Sequence, residues 1–254
     1  MEGIGLTVGE LNGDGDPDVV VQAWATHLML SDGTGRYVES AASRGITADD
    51  HQEVGWGAAL ADMNYNGRLD LAVAYGLLPP DEVSMGPMPE IVIGTHLNMN
   101  RVRQPNAFYL QGEDGQFEAA HEEWGLDHDG ISRGMMAVDL NQDGFMDLIY
   151  RDLWGPTRIH LGRCDESAWL AISLRQAGSN PFAIGAKVSA SVGDTVQTRT
   201  IEAGSTGLSS GGPPEAHIGL SEADVVNLEV RWPDGAISVI SDVQTRARVT
   251  ITRD

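Results

Sequence analysis

Asp139-Leu140-Asn141-Gln142-Asp143-Gly144-Phe145-Met146-Asp147 is the stretch that decides the fold, because it occurs three times. Glu10-Leu11-Asn12-Gly13-Asp14-Gly15-Asp16-Pro17-Asp18 is an earlier copy, and Asp62-Met63-Asn64-Tyr65-Asn66-Gly67-Arg68-Leu69-Asp70 lies between them. The shared form is an acid, Asn at the third position, Asp or Asn at the fifth, Gly at the sixth and Asp at the ninth. Val19-Val20-Val21, Leu71-Ala72-Val73 and Leu148-Ile149-Tyr150 follow the copies. Small or apolar runs precede them, as in Gly57-Ala58-Ala59-Leu60 and Gly134-Met135-Met136-Ala137-Val138. Each unit therefore reads as strand, tight acidic loop, strand.

The repeat extends outward from the loop. Leu28-Met29-Leu30-Ser31-Asp32-Gly33-Thr34-Gly35-Arg36-Tyr37 matches Phe108-Tyr109-Leu110-Gln111-Gly112-Glu113-Asp114-Gly115-Gln116-Phe117 at an offset of 80, and Gly45 maps onto Gly125. Arg158-Ile159-His160-Leu161-Gly162 is a third, partial copy. A hairpin with a Gly turn thus follows each loop pair. The unit is an antiparallel sheet of about four strands, the size of a propeller blade. An insert at about 77–105, rich in Pro and Met, reads as an excursion loop of the second unit. Phe117 to Trp124 reads as a short helical turn, with Val38 to Ser43 as its equivalent.

The spacing suits calcium, which takes six to eight oxygen ligands. A loop curling round the ion presents alternate side chains at positions one, three and five, and the sixth-position Gly permits a positive φ. Position seven (Asp16, Arg68, Phe145) offers only its backbone carbonyl, and the ninth-position Asp reaches back. An EF-hand would need Glu at position twelve, where Val21, Val73 and Tyr150 stand. The expected ligands are Glu10, Asn12, Asp14, Asp16 and Asp18; Asp62, Asn64, Asn66, Arg68 and Asp70; and Asp139, Asn141, Asp143, Phe145 and Asp147. The third loop has three ligand carboxylates at the usual reach, the second only two, and the first has Glu10, whose extra methylene shifts that ligand, so the third site is expected tightest and the second weakest. The competing reading is that Asx-Gly loops are simply good turns.

Composition narrows the class. The 254 residues carry 37 acidic and 16 basic side chains, a formal net charge of -21. That balance argues against binding nucleic acid or anionic lipid, which need clustered Lys and Arg. Three Ca²⁺ would bring the charge only to -15, so much of the acidity is solvated surface. Lys187 is the only lysine and Cys164 the only cysteine, so no intrachain disulfide forms and a Cys-based zinc site is disfavoured. No apolar run reaches the ~20 residues of a membrane helix, and no signal peptide is visible.

The loops resemble FG-GAP/VCBS repeats, the blades of integrin α-chain-like β-propellers. The resemblance implies calcium ligation at positions one, three, five and nine, with Glu10 and Asn66 as departures. From about Ser167 the acidic loops stop and a β-rich segment begins. Trp169 to Leu174 reads as a half-buried strand; further strands are expected at 184–192, 197–201, 227–232 and 248–252, with a turn at Pro233-Asp234-Gly235. Trp169-Leu170, Ser179-Asn180, Ala183-Ile184-Gly185-Ala186-Lys187-Val188, His217-Ile218-Gly219-Leu220 and Val230-Arg231-Trp232-Pro233-Asp234-Gly235 resemble the ASPIC/UnbV domain of the cartilage acidic protein-like family. Leu208, Ser210 and Ser221 depart from its pattern.

The expectation is an all-β chain: a partial β-propeller of about three blades over residues 1–165, then a small β-rich ASPIC/UnbV domain over 166–254. Three acidic loops are fewer than the ~4–8 blades of a closed propeller, which predicts either a piece of a longer chain or a small open array. Gly207-Leu208-Ser209-Ser210-Gly211 fits a nucleophile elbow by letter, but Gly212-Pro213-Pro214 cannot start the helix that motif requires. The seven histidines (His27, His51, His96, His121, His128, His160 and His217) form no paired metal motif and read as surface or packing residues. Trp24, Trp56 and Trp154 read as core, although a rim Trp could stack on sugar. There is no Arg-Gly-Asp tripeptide and no Asn-x-Ser/Thr sequon. The functional expectation is a non-catalytic, extracellular-type calcium module that recognises protein or glycan. The resemblance implies an exported location, extracellular, periplasmic or at the cell surface. The alternative is a metal-dependent hydrolase or lyase acting on carbohydrate or a phosphoester.

Overall fold

A computed structural model describes residues 3–47, 53–77, 103–162, 165–204 and 211–253. Most of the expected insert, Cys164, His51, His96 and the Gly207 to Ser210 stretch lie outside the described residues. The chain is nearly all β, in two groups of sheets, antiparallel but for one parallel pair.

The first group is three blade-like sheets. Strands β1 (Gly5–Gly9), β2 (Asp18–Gln22), β3 (Thr26–Ser31) and β4 (Tyr37–Glu39) pair in that order. The second blade comprises β5 (Gly55–Ala61), β6 (Asp70–Tyr75), β8 (Ala107–Gln111) and β9 (Phe117–Ala119). The third is β11 (Ser132–Val138), β12 (Asp147–Asp152) and β13 (Thr157–His160). A short ribbon pairs β7 (Gln104–Pro105) with β10 (Asp129–Gly130). Each acidic loop joins the first and second strands of its blade. The helical turns also repeat: Ala42–Arg44 and α1 (His121–Trp124) each end on a left-handed glycine, Gly45 and Gly125. Phe117 to Ala119, expected in that turn, is strand instead, paired with Tyr109 to Gln111.

Adjacent blades bury apolar rows between them. Val20, Leu28 and Leu30 pack against Leu71, Val73 and Tyr75. Ala72 and Phe108 pack against Met135, Leu148 and Tyr150. The third blade has three strands where about four were expected, because the chain leaves β13 for the second domain. Ile159 and Leu161, which follow the register of Leu28 and Leu30, are 52% and 63% exposed, whereas Leu28 is 0%.

The second domain is two sheets over one core. Strand β14 (Trp169–Gln176) lies between β17 (Glu215–Gly219) and β20 (Ala247–Arg253), the latter parallel to it. The facing sheet runs β16 (Thr195–Thr200), β15 (Lys187–Val192), β18 (Val225–Arg231) and β19 (Ile237–Gln244). Leu170, Ile172, Leu174, Val188, Ala190, Leu228, Val230 and Trp232 fill the space between them. The Pro233-Asp234-Gly235 turn joins β18 and β19, with Gly235 at φ 87° and the Trp232 N–H donating to Ala236 O. Strand β14 is not half-buried. Trp169 and Ala171, on the face away from this core, pack with Tyr65 and Phe145 of the acidic loops. The loops therefore cover the face that a lone domain would leave to solvent.

Candidate functional site: three acidic loops under one domain

The three loops share one hydrogen-bond pattern, set by the spacing of their polar residues. The ninth-position Asp of each is buried, and both its oxygens accept backbone N–H groups. Asp18 takes Leu11 N and Ser31 N, each at 2.7 Å. Asp70 takes Met63 N at 2.8 Å and Gln111 N at 2.9 Å. Asp147 takes Leu140 N at 2.8 Å and Gly162 N at 2.7 Å. Each thus ties the second loop residue to the end of the third strand. This clamp role was not read from the spacing, which had marked these aspartates as ligands alone.

Positions one and three turn their oxygens into the loop. In the third loop Asp139 Oδ1 and Asn141 Oδ1 both accept the Asp143 N–H at 3.1 Å, and Asp139 Oδ2 accepts Gly144 N at 2.8 Å. In the second, Asp62 Oδ1 and Asn64 Oδ1 meet at Asn66 N, and Asp62 Oδ2 accepts Gly67 N. The first loop differs as its longer Glu predicts. Glu10 Oε1 accepts Asn12 N and Gly13 N instead, and its Oε2 is buried without a hydrogen-bond partner. Fifth-position oxygens of Asp14, Asn66 and Asp143 accept the N–H of Asp16, Arg68 and Phe145.

Position six adopts a left-handed backbone in all three loops, at φ 83°, 91° and 93°. Position four does too, in Gly13, Tyr65 and Gln142. For Tyr65 that strained conformation carries the ring into the second domain's interface. Its centroid lies 5.0 Å from Phe145 and 6.0 Å from His217, and its hydroxyl accepts Met146 N at 2.6 Å.

The donor set fits calcium in kind: carboxylates, amide oxygens and backbone carbonyls, with no soft ligand. Among the described residues no three carboxylate, imidazole or thiolate groups are already gathered as a cluster. Calcium would have to draw the first-, third- and fifth-position oxygens off the loop amides they now accept. Glu10 Oε2, buried without a hydrogen-bond partner, is free of that competition.

Burial also loads these loops with protons. It pushes the Asp62 carboxyl up to about 6, against the charge of Arg199 and the loop N–H groups. It pushes Asp70 up to about 7, against the Gln111 N–H, with Asp62 adding to the rise. Both values lie above the ordinary 3.8. The folded state therefore keeps protons that the unfolded chain releases near pH 4. Asp62 and Asp70 are therefore expected to lower calcium-free stability as pH rises from about 4 to about 7, while His217, which burial holds down to about 4, raises it over part of that range. Urea melts in EDTA at pH 5 and pH 8 isolate the carboxylate part, because Asp70→Asn should fall less, or rise more, with pH than the wild type. The same pH dependence in both proteins contradicts it.

The second domain sits over the loops. Gly144 lies directly under the Trp169 ring, and Gly219 lies against Asp62 and Tyr65. Arg248 pairs with Asp139 and, at 3.1 Å, with Glu215. Between the loops and this domain is a cavity of about 190 Å³, lined by Glu10, Asp62, Asp139, Arg199, Glu202 and His217 among others. Burial holds the His217 imidazole down to about 4, so it is neutral at pH 7. Of the tryptophans read as core, Trp24 and Trp154 are instead 57% and 49% exposed, in the turns after β2 and β12. Those turns lie at the blade ends opposite the loops. Trp56 is half-buried, with its Nε1–H on Gly76 O at 2.6 Å and Arg133 over its ring.

Comparison with known proteins gives two family-model matches. Residues 4–73 match the model of the FG-GAP-like repeat family, and residues 176–254 match that of ASPIC and UnbV. Cartilage acidic protein 1 of Mus musculus is 25% identical over 92% of the chain, and that of Homo sapiens 24% over the same share. The chain spans 42% of the mouse protein's length and 41% of the human one's. The chain is thus similar to FG-GAP-like repeats in its first region, to ASPIC and UnbV in its last, and to cartilage acidic protein 1 along nearly its whole length.

Proposed function

We propose that the chain is a non-catalytic calcium module of extracellular type that recognises a protein or glycan partner, with calcium rigidifying its blades. The observation that carries this reading is a loop geometry in which the third-position oxygen accepts the fifth-position amide in all three loops, joined there by the first-position oxygen in the second and third. One such loop serves as a turn; its repetition supports a set of cation cradles. Calcium would neutralise carboxylates that otherwise repel one another or hold protons. The likeness to cartilage acidic protein 1 supports an exported or cell-surface location. The second domain covers the loops, which leaves the opposite blade ends, with exposed Trp24 and Trp154, as the face for a partner. Thermal melting of EDTA-stripped protein tests this. Calcium should raise Tm by several degrees, and Asp143→Ala should remove part of the rise. No change in Tm at millimolar calcium contradicts the reading.

A second reading has one observation in its favour: Arg199, His217 and Glu202 gather with Asp62 and Asp139 around the cavity. That is the kind of convergence a metal-dependent hydrolase or lyase would use on carbohydrate or a phosphoester. Calcium-dependent turnover of a chromogenic glycoside or phosphodiester, lost in His217→Gln, would favour it over the module.

A further inference from the structure

The sixth-position glycine carbonyl of every acidic loop accepts a hydrogen bond from the second domain. Lys187 Nζ donates to Gly15 O at 2.5 Å, Arg199 Nη2 to Gly67 O at 3.3 Å, and His217 Nε2 to Gly144 O at 3.0 Å. The three donors sit on three different strands, β15, β16 and β17, so the match is made by the face of the domain and not by one local motif. The Ser221 N–H adds a backbone bond to Tyr65 O at 2.8 Å. In a chain with 16 basic residues against 37 acidic ones, the only lysine and two arginines are placed here. Arg248 from β20 goes further and ion-pairs with Asp139, the first-position acid of the third loop.

We propose that the second domain is the resident partner of the acidic loops, and that Arg248 competes with calcium for Asp139. The competition rests on the calcium reading above; the docking does not. A guanidinium on Asp139 occupies the oxygen that also accepts Gly144 N, and it sets a positive charge where a divalent ion would bind. Calcium entering the third loop must displace that charge or bear its repulsion. By reciprocity, calcium in the third loop then weakens docking by the same factor that docking weakens calcium. Among the described residues no cation is ion-paired with a carboxylate of the first loop: Lys187 reaches a carbonyl there, and Asp14 stays exposed. The third loop therefore loses the advantage that Asp139, in place of the longer Glu10, would give it.

Two measurements on the full chain separate the parts. Amide exchange at Ser221 in EDTA reads docking without calcium. The wild type should protect it, and Arg199→Gln with Arg248→Gln should speed it, while the core amide of Leu228 is unchanged. Equal exchange at Ser221 in both proteins overturns the docking. Calcium calorimetry reads the competition. Arg248→Gln should tighten one site about tenfold, within the usual range of such couplings, while Arg248→Lys stays near wild type. Unchanged affinity in Arg248→Gln overturns the competition and leaves the calcium reading standing. If neither protein binds calcium, the calcium reading and the competition both fall, and Ser221 exchange alone decides the docking.

Discussion

Asp147→Ala is expected to destabilise the protein by about 3–5 kcal/mol, as two part-buried N–H groups lose their acceptor, each worth ~1–3 kcal/mol. Asp147 is 0% exposed, and its two oxygens hold Leu140 N and Gly162 N. Asp147→Asn keeps one acceptor oxygen and should cost roughly half as much. The same reasoning applies to Asp18 and Asp70, which clamp the other two blades in the same way. Urea denaturation in EDTA keeps calcium out of the comparison. A loss below about 1 kcal/mol for Asp147→Ala would show that the clamp is not a structural element.

Gly144→Ala should cost a similar amount, about 3–5 kcal/mol, for a different reason. The backbone there is left-handed, at φ 93°, and a Cβ would lie 1.8 Å from the Trp169 ring. Backbone strain accounts for ~1–3 kcal/mol and overpacking for ~1–3 more. Gly15→Ala at the same loop position is the control. Its φ is 83°, but nothing lies within 4 Å of the added carbon. It should therefore show the strain term alone. A common cost for both substitutions would mean that Trp169 does not pack on the third loop. A larger cost for Gly144→Ala, accompanied by faster exchange at Ser221, is the expected result.

Much of this architecture is legible in the chain. The three loops, their flanking strands, the offset of 80 between the first two hairpins and five strands of the second domain all follow local patterns of alternation and turn residues. What escapes such reading is decided by contacts distant in sequence. Trp169 and Ala171 look like the wet face of a strand until Tyr65 and Phe145 cover them. Trp24 and Trp154 look like core by residue type, but they occupy turns at the blade ends opposite the loops and stay exposed there. Tyr65 and Gln142 hold a positive φ that their residue types do not advertise, and only Gly13 in the first copy marks that position. Lys187 stands out as the only lysine, yet its contact with Gly15 spans 172 residues and has no local signature. His217 reads as a packing histidine and is one, with the added role of donating to the third loop. Spacing marks the candidate ligands and local patterns mark the second domain; that the domain lies over the loops depends on contacts distant in sequence.

The calcium reading is tested most directly by isothermal calorimetry on EDTA-stripped full-length chain, run beside Asp139→Ala. The account predicts about three ions bound by the wild type, one for each loop, and one fewer in the variant. Binding of no calcium by the wild type, with Asp139→Ala indistinguishable from it, would reduce the loops to turns clamped by Asp18, Asp70 and Asp147 and would contradict the central claim.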